Sequence, residues 1–181
     1  MLDVVTLTAR VAAHRPTAHP EAWASTALIL GDGGDGPEVL FIRRVTRAGD
    51  RWSGDMALPG GKVDPGDADV VAAAAREAFE ETRVTVGDPV GRLDDQQARA
   101  FTERIATVVF TVDGLPEPVP EPAEVADAMW LPVAALADPA HRTWYRYGGV
   151  VPFPSLTIGE HMIWGLTHRI ITHFLSVAGI T

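Results

Sequence analysis

The chain predicts an α/β fold of the α+β kind, with one mixed β-sheet held between helices. Apolar runs of strand length stand at residues 22–30, 39–43 and 105–112, bounded by turn-forming residues. Residues 67–83 and 163–175 instead space their apolar side chains as helices do. Strands and helices alternate irregularly, which favours a mixed sheet over a regular strand–helix–strand array. At 181 residues the chain fits one domain, 1–181, long enough to bury a sizeable core.

Residues 2–14 predict a short helix, with Leu2, Val5, Val11 and Ala12 as its apolar positions. Pro16 and Pro20 make residues 15–20 a linker, so 1–21 form a helix and linker ahead of the body. Residues 22–30 and 39–43 form a hairpin around Gly31-Asp32-Gly33-Gly34-Asp35-Gly36-Pro37. Those glycines lie between strands and not ahead of a helix, so the dinucleotide fingerprint is absent. Residues 46–66 are a long loop ending at Gly60-Gly61.

The alanine-rich helix follows at 67–83, with Asp67 as N-cap and Asp69 complementing the helix dipole. Val71, Ala75, Ala78 and Thr82 are expected to face the sheet, and Val70, Ala73 and Ala74 to leave room beside the acidic side chains. Residues 84–86 and 90–93 predict short strands, and 105–112 a buried one. Residues 115–123 are a proline-rich extended loop. Residues 128–131 read as a strand, 133–136 as the start of a short helix, and 163–175 as an amphipathic helix built on Leu166, Ile170 and Phe174.

Composition excludes several functions. The formal net charge is −9, which argues against a nucleic-acid partner. Cysteine is absent, removing disulfides, thiolate zinc sites and cysteine nucleophiles. No apolar stretch is long enough to span a bilayer, and the N-terminus lacks a secretory pattern. The expectation is a cytoplasmic protein with no membrane partner. Ser53 and Ser155 have no histidine and acid nearby in sequence to suggest a serine hydrolase.

Glu77, Glu80 and Glu81 stand at i, i+3 and i+4, which places their Cβ atoms roughly 5–6 Å apart on one helical stripe. Like charges so placed cost a helix on the order of 0.2–0.5 kcal/mol per pair. A solvated face tolerates such a cluster, and a hard cation uses it, because carboxylate oxygens suit Mg²⁺ and Mn²⁺. Three neighbours favour the cation. The Pro59-Gly60-Gly61 turn exposes backbone carbonyls ahead of the helix, Arg76 can orient carboxylates, and the alanines clear space.

The Pro-Gly-Gly turn and Arg76-Glu77-Ala78-Phe79-Glu80-Glu81 together resemble the signature of the Nudix hydrolases. The resemblance runs through residues 22–175. Within it, Trp52-Ser53-Gly54-Asp55-Met56-Ala57-Leu58-Pro59-Gly60-Gly61, the segment from Glu124-Val125 to Trp130-Leu131-Pro132, and Ile163-Trp164-Gly165-Leu166-Thr167 look like the coenzyme A pyrophosphatase-like branch. The resemblance implies a Nudix-type α/β/α sandwich with a mixed central sheet. It also implies metal-dependent pyrophosphohydrolysis: water attacks phosphorus within a diphosphate linkage of a nucleoside-diphosphate derivative. Coenzyme A is one such substrate, cleaved to 3'-phospho-AMP and 4'-phosphopantetheine.

The implied cofactor is Mg²⁺ or Mn²⁺, held by Glu77, Glu80 and Glu81 with the Gly60 or Gly61 carbonyl as a further ligand. Arg76 would orient the carboxylates. The general base is Glu81 or a glutamate of the loop at 115–125, Glu124 ahead of Glu121. Arg43, Arg44 and Arg51 are candidates for substrate phosphates, and Trp52 for stacking on a base. Surface arginines and a loop-anchoring tryptophan are the ordinary alternatives for those four.

The sequence departs from the pattern in places. Asp67 and Arg76 are separated by the longer spacing of the coenzyme A branch, and Arg83 replaces a helix-ending glycine. Arg83 is expected to change the C-cap and to point away from the acids. Leu40-Phe41-Ile42-Arg43-Arg44 matches the first half of the branch's coenzyme A motif only loosely, and Arg51 is displaced by one position. An isomerase on the same fold would need a cysteine. A non-catalytic Nudix-like nucleotide-binding regulator would be expected to lose acids that are present here. The implied partner is a small-molecule diphosphate, from coenzyme A to ADP-ribose or other nucleotides, and a homodimer is left open.

Overall fold

The computed structural model describes residues 2–19, 22–49, 53–98 and 103–180. Helix α1 (Val4–Ala13) is followed by strands β1 (Ala24–Asp32), β2 (Pro37–Arg44), β3 (Met56–Ala57) and β4 (Gly60–Lys62), then helix α2 (Val70–Thr82). Strands β5 (Gly91–Arg92), β6 (Gln96–Gln97), β7 (Arg104–Thr111) and β8 (Val125–Pro132) come next, with the short helix α3 (Val133–Ala137). Strands β9 (Arg142–Tyr147), β10 (Val151–Ile158) and β11 (His161–Trp164) lead into helix α4 (Gly165–Val177).

The main sheet is mixed, as predicted: β1 runs parallel to β7, and its other pairings are antiparallel. Strands β1 and β2 pair only beside their connecting turn, from Leu30↔Val39 to Asp32↔Pro37. Beyond it β4 takes over the edge of β1 and β3 the edge of β2. The segment joining β3 to β4 therefore lies in the fork between β1 and β2, and the Pro59 carbonyl accepts from the Ala27 N–H at 2.8 Å. Gly60 is required there. A Cβ at that position would meet the Ser25 carbonyl oxygen at 2.5 Å and the Thr26 Cα at 2.7 Å.

Alternation along the strands feeds two cores, one on each face. Leu28, Leu30, Phe41 and Val109 pack with Leu7 and Val11 of α1 and Ile170 and Phe174 of α4. Ala27, Ile29, Leu40, Val108 and Phe110 pack with Ala74 and Ala78 of α2. Each fully buried large apolar side chain contributes about 1.5–3 kcal/mol. The helix–sheet–helix layering matches the expected sandwich.

Several expectations are corrected. Helix α2 begins at Val70 with Asp69 as its N-cap, accepting from the Val71 and Ala72 N–H groups at 2.9 Å each, so Asp67 is not the cap. Of the predicted sheet-facing stripe, Ala78 and Thr82 are fully buried as expected and Val71 and Ala75 only partly so, while Ala73 and Ala74, expected beside the acids, are fully buried. Ala74 therefore packs against the sheet and does not stand open beside the acids. Residues 84–86 form no strand, and β5 is shorter than predicted. Ile163 and Trp164 belong to β11, not to the last helix. The antiparallel sheet β9–β10–β11 was not predicted at all. Its Tyr145, Tyr147 and Phe153 rings gather on Trp164, with centroids 4.5, 5.5 and 5.7 Å away.

Candidate active site

Arg76 organises the acidic end of α2. Its Nε and one terminal nitrogen donate to the two oxygens of Asp67 at 3.0 Å each. Its other terminal nitrogen donates to Glu77 Oε1 and to Glu80 Oε2, both at 2.9 Å. The Lys62 carbonyl accepts a further bond at 3.1 Å. The bidentate bond to Asp67 is the main reason the guanidinium is held even more firmly protonated than usual, and Asp67 is held below the ordinary carboxylate range by the same contact. Asp67, expected as a cap, thus serves as the anchor that aims Arg76.

Glu81 lies on the inner side of the stripe and is only 4% exposed. Its Oε2 accepts from the Gly60 N–H at 2.8 Å, so the fork loop and α2 meet at this carboxylate. The sequence suggested the carbonyl side of that turn, and it is the Gly60 N–H that reaches Glu81. Burial pushes the Glu81 carboxyl up to about 8; the Gly60 bond opposes this, Glu77 and Glu124 add to it, and the charge of Arg44 reduces it. Burial also raises Glu77, with Arg76 offsetting part of the effect. Gly61 lies against Glu77: a Cβ there would come within 2.3 Å of Glu77 Oε1.

The proline-rich loop closes the C-terminal end of α2. The Val119 N–H donates to the Thr82 carbonyl at 2.7 Å and the Glu121 N–H to the Glu81 carbonyl at 2.9 Å. These bonds use carbonyls that a helix end leaves without partners. They carry Glu121 and Glu124 to a cavity of about 200 Å³ that Glu80, Glu81 and Arg83 also line. Arg83 does not point away, as the sequence suggested. It adopts a left-handed backbone (φ 59°) and bonds Glu121 Oε2 at 3.0 Å.

The other sequence candidates separate. Arg44 is near enough to Glu81 to influence its ionisation. Arg43, next along β2, is 3.6 Å from Asp127 and lines a different cavity of about 330 Å³ with Asp55, Tyr145, His161 and Trp164. Arg51 and Trp52 lie outside the described residues. The Tyr145 wall of the larger cavity was not foreseen, because β9 exposes most of its side chains and shows no inside–outside alternation, nor was His161, at the start of the unpredicted β11. The aromatic spacing of β9, Tyr145 and Tyr147, was the available signal.

The donor set suits a divalent cation. Carboxylates from Glu77, Glu80, Glu81 and Glu124 are gathered at one end of α2; burial and the neighbouring acids disfavour ionisation of Glu77 and Glu81, and a hard cation relieves both effects.

The NUDIX domain model matches residues 21–148. The chain is 33% identical over 147 residues to the mitochondrial coenzyme A diphosphatase NUDT8 of Homo sapiens, a stretch covering 76% of this chain and 61% of that protein. It is 27% identical over 172 residues to a probable nudix hydrolase of Schizosaccharomyces pombe, covering 90% of this chain and 58% of that one. The chain thus spans about three fifths of the length of these curated relatives. A solved MutT/nudix family protein from Enterococcus faecalis superposes with a TM-score of 0.55 at 16% identity, covering 98% of this chain and 70% of the other, which shows a shared fold. Sequence signature, layered fold and family match agree: the chain belongs to the NUDIX family.

Proposed function

We propose that the chain is a Nudix hydrolase, a divalent-cation-dependent pyrophosphohydrolase that cleaves a diphosphate linkage in a nucleoside-diphosphate derivative. One observation carries this reading: Glu81, buried and bonded to the Gly60 N–H, sits among Glu77, Glu80 and Glu124 with Arg76 bracing the outer two helix acids. Glu77, Glu80, Glu81 and the Gly61 carbonyl would hold Mg²⁺ or Mn²⁺. When bound, such a cation neutralises diphosphate charge and makes water more acidic.

The protein's own groups supply the rest. Arg76 keeps Glu77 and Glu80 in fixed rotamers, and Asp67 keeps Arg76 in place. Glu124, on the cavity rim, accepts the proton of the attacking water, with Glu121 engaged by Arg83 and therefore less available. The water oxygen bonds to phosphorus, and the bridging oxygen leaves with the other phosphate. Arg44 adds positive charge near Glu81.

For substrate, we favour coenzyme A, supported by the name of the human relative and by the segments resembling that branch. The test is phosphate release, after phosphatase treatment, from coenzyme A, ADP-ribose, nucleoside triphosphates and dinucleoside polyphosphates, each with Mg²⁺, with Mn²⁺ and in chelator. Coenzyme A turnover that chelator abolishes is expected. Turnover of ADP-ribose alone would redirect the substrate, and full activity in chelator would overturn the mechanism. Binding of these compounds without turnover under any condition would instead favour a nucleotide-binding regulator.

A further inference from the structure

We propose that His14, Asp94 and His173 form a second metal site, for a zinc-type divalent transition ion, that ties α1 to α4 on the face of the sheet opposite α2. One ligand atom from each residue lies within 4.8 Å of the other two. His14 Nε2 is 3.1 Å from Asp94 Oδ1, and His173 Nε2 is 3.4 Å from Asp94 Oδ2. Zinc bonds of about 2.0–2.2 Å in a tetrahedron place neighbouring donors roughly 3.3–3.5 Å apart, so the His–Asp contacts already stand near that spacing, while a set spread over as much as 4.8 Å has to draw in on binding.

The surroundings suit a cation. His14 is the C-cap residue of α1, where the helix dipole favours positive charge. Asp94 is held in place by the Thr17 N–H, which donates to its Oδ1 at 2.8 Å. The three side chains are 21%, 34% and 24% exposed, which leaves a fourth position open to water. The Asp94 N–H donates to His173 Nε2 over 3.3 Å, a long bond that a metal displaces at small cost.

Two imidazoles and one carboxylate select zinc-type ions, whereas the glutamate cluster on α2 offers only oxygen and suits Mg²⁺ or Mn²⁺. The two sites are therefore separable. His14 and His173 fall outside the stretch matched by the family model and Asp94 lies inside it, between β5 and β6, so the flanking segments complete a cluster begun in the family domain. The competing account is a His–Asp–His hydrogen-bond network without metal, and the experiment distinguishes the two.

The full chain is stripped with chelator, returned to excess Mg²⁺ to occupy the acidic site, and titrated with Zn²⁺. One equivalent is expected to bind, and zinc a hundredfold above its Kd is expected to raise Tm by roughly 5–10 °C. The rise should survive in Glu80→Gln and vanish in His14→Gln and His173→Gln. No rise in the unaltered protein, or an undiminished rise in both histidine variants, would overturn the proposal in favour of the hydrogen-bond network. Should those variants fail to fold, the Co²⁺-loaded unaltered protein decides. Paramagnetically shifted imidazole N–H signals from two histidines support the site, and their absence refutes it.

Discussion

Glu81 concentrates the chemistry of the candidate site in one carboxyl group. Its folded value of about 8 lies above the ordinary glutamate value of 4.5. The stability it contributes is therefore full below about pH 4.5 and is lost as pH rises through about 8. In chelator, Tm is expected to fall across that window, and Glu81→Gln, a neutral isostere, should flatten the fall and remove cation-dependent turnover without unfolding the chain. An unchanged pH profile of Tm in the variant would refute the assignment. Cation binding should release a proton near neutral pH, measurable by calorimetry in buffers of different ionisation enthalpy. Gly61 permits a sharper test. Its backbone is not left-handed, so Gly61→Ala strains no dihedral and acts only through the Cβ that would crowd Glu77. An ångström-scale displacement of Glu77 is expected to lower kcat about 100-fold with Tm nearly unchanged. Full activity would show that the carboxylate does not need its place beside the turn.

At the scale of elements, α2 succeeds because its two sides do different work. Alanine at 74 and 78 lets the helix axis approach β1 closely, and that approach brings Glu81 to the Gly60 N–H. Ala78→Leu overpacks this contact. It is expected to cost about 1–3 kcal/mol, seen as a lower urea midpoint, and to reduce turnover by pushing the acids away from the fork. Retained stability would mean that the interface has slack. The C-terminal end of α2 is held in an unusual way. Left-handed backbone at a non-glycine residue is unfavourable, and the Arg83 ion pair with Glu121 and its stacking over the Phe79 ring at 5.5 Å offset that cost. The same pairing fixes one of the two loop glutamates, in keeping with the proposal that Glu124 is the base.

For the molecule as a whole, the two faces of the sheet separate stability from the acidic site. Leu7 and Val11 of α1 are each 1% exposed within the core that includes Phe174 of α4. Leu7→Ala is expected to cost about 2–5 kcal/mol of folding stability, while kcat below the new Tm stays within a factor of two or so of the original. A fall in kcat without a fall in Tm would show coupling across the sheet. Among the described residues no helix is long and apolar enough to cross a membrane.

Most of the main sheet and the acidic helix were legible in the sequence because their determinants are local. Helical spacing put three glutamates on one stripe, and an apolar run between turns marked β7. The sequence alone therefore determined the mixed helix-covered sheet and the Arg76–Glu81 cluster, whereas Gly60-Gly61, expected as a turn ending the loop at 46–66, belong to β4 and pair with β1. What it left open depends on contacts between distant residues. The exposed β9 gave no burial pattern, and Arg83 turned toward Glu121 only because a loop some forty positions away docks on the helix end. Arg43 and Arg44 are adjacent in sequence, yet Arg44 comes near Glu81 while Arg43 lines the other cavity. His14, Asp94 and His173 are separated by about eighty positions each. Only tertiary structure decided these, because spacing along a chain sets a side chain's direction on its own element and says nothing about which other element packs against it.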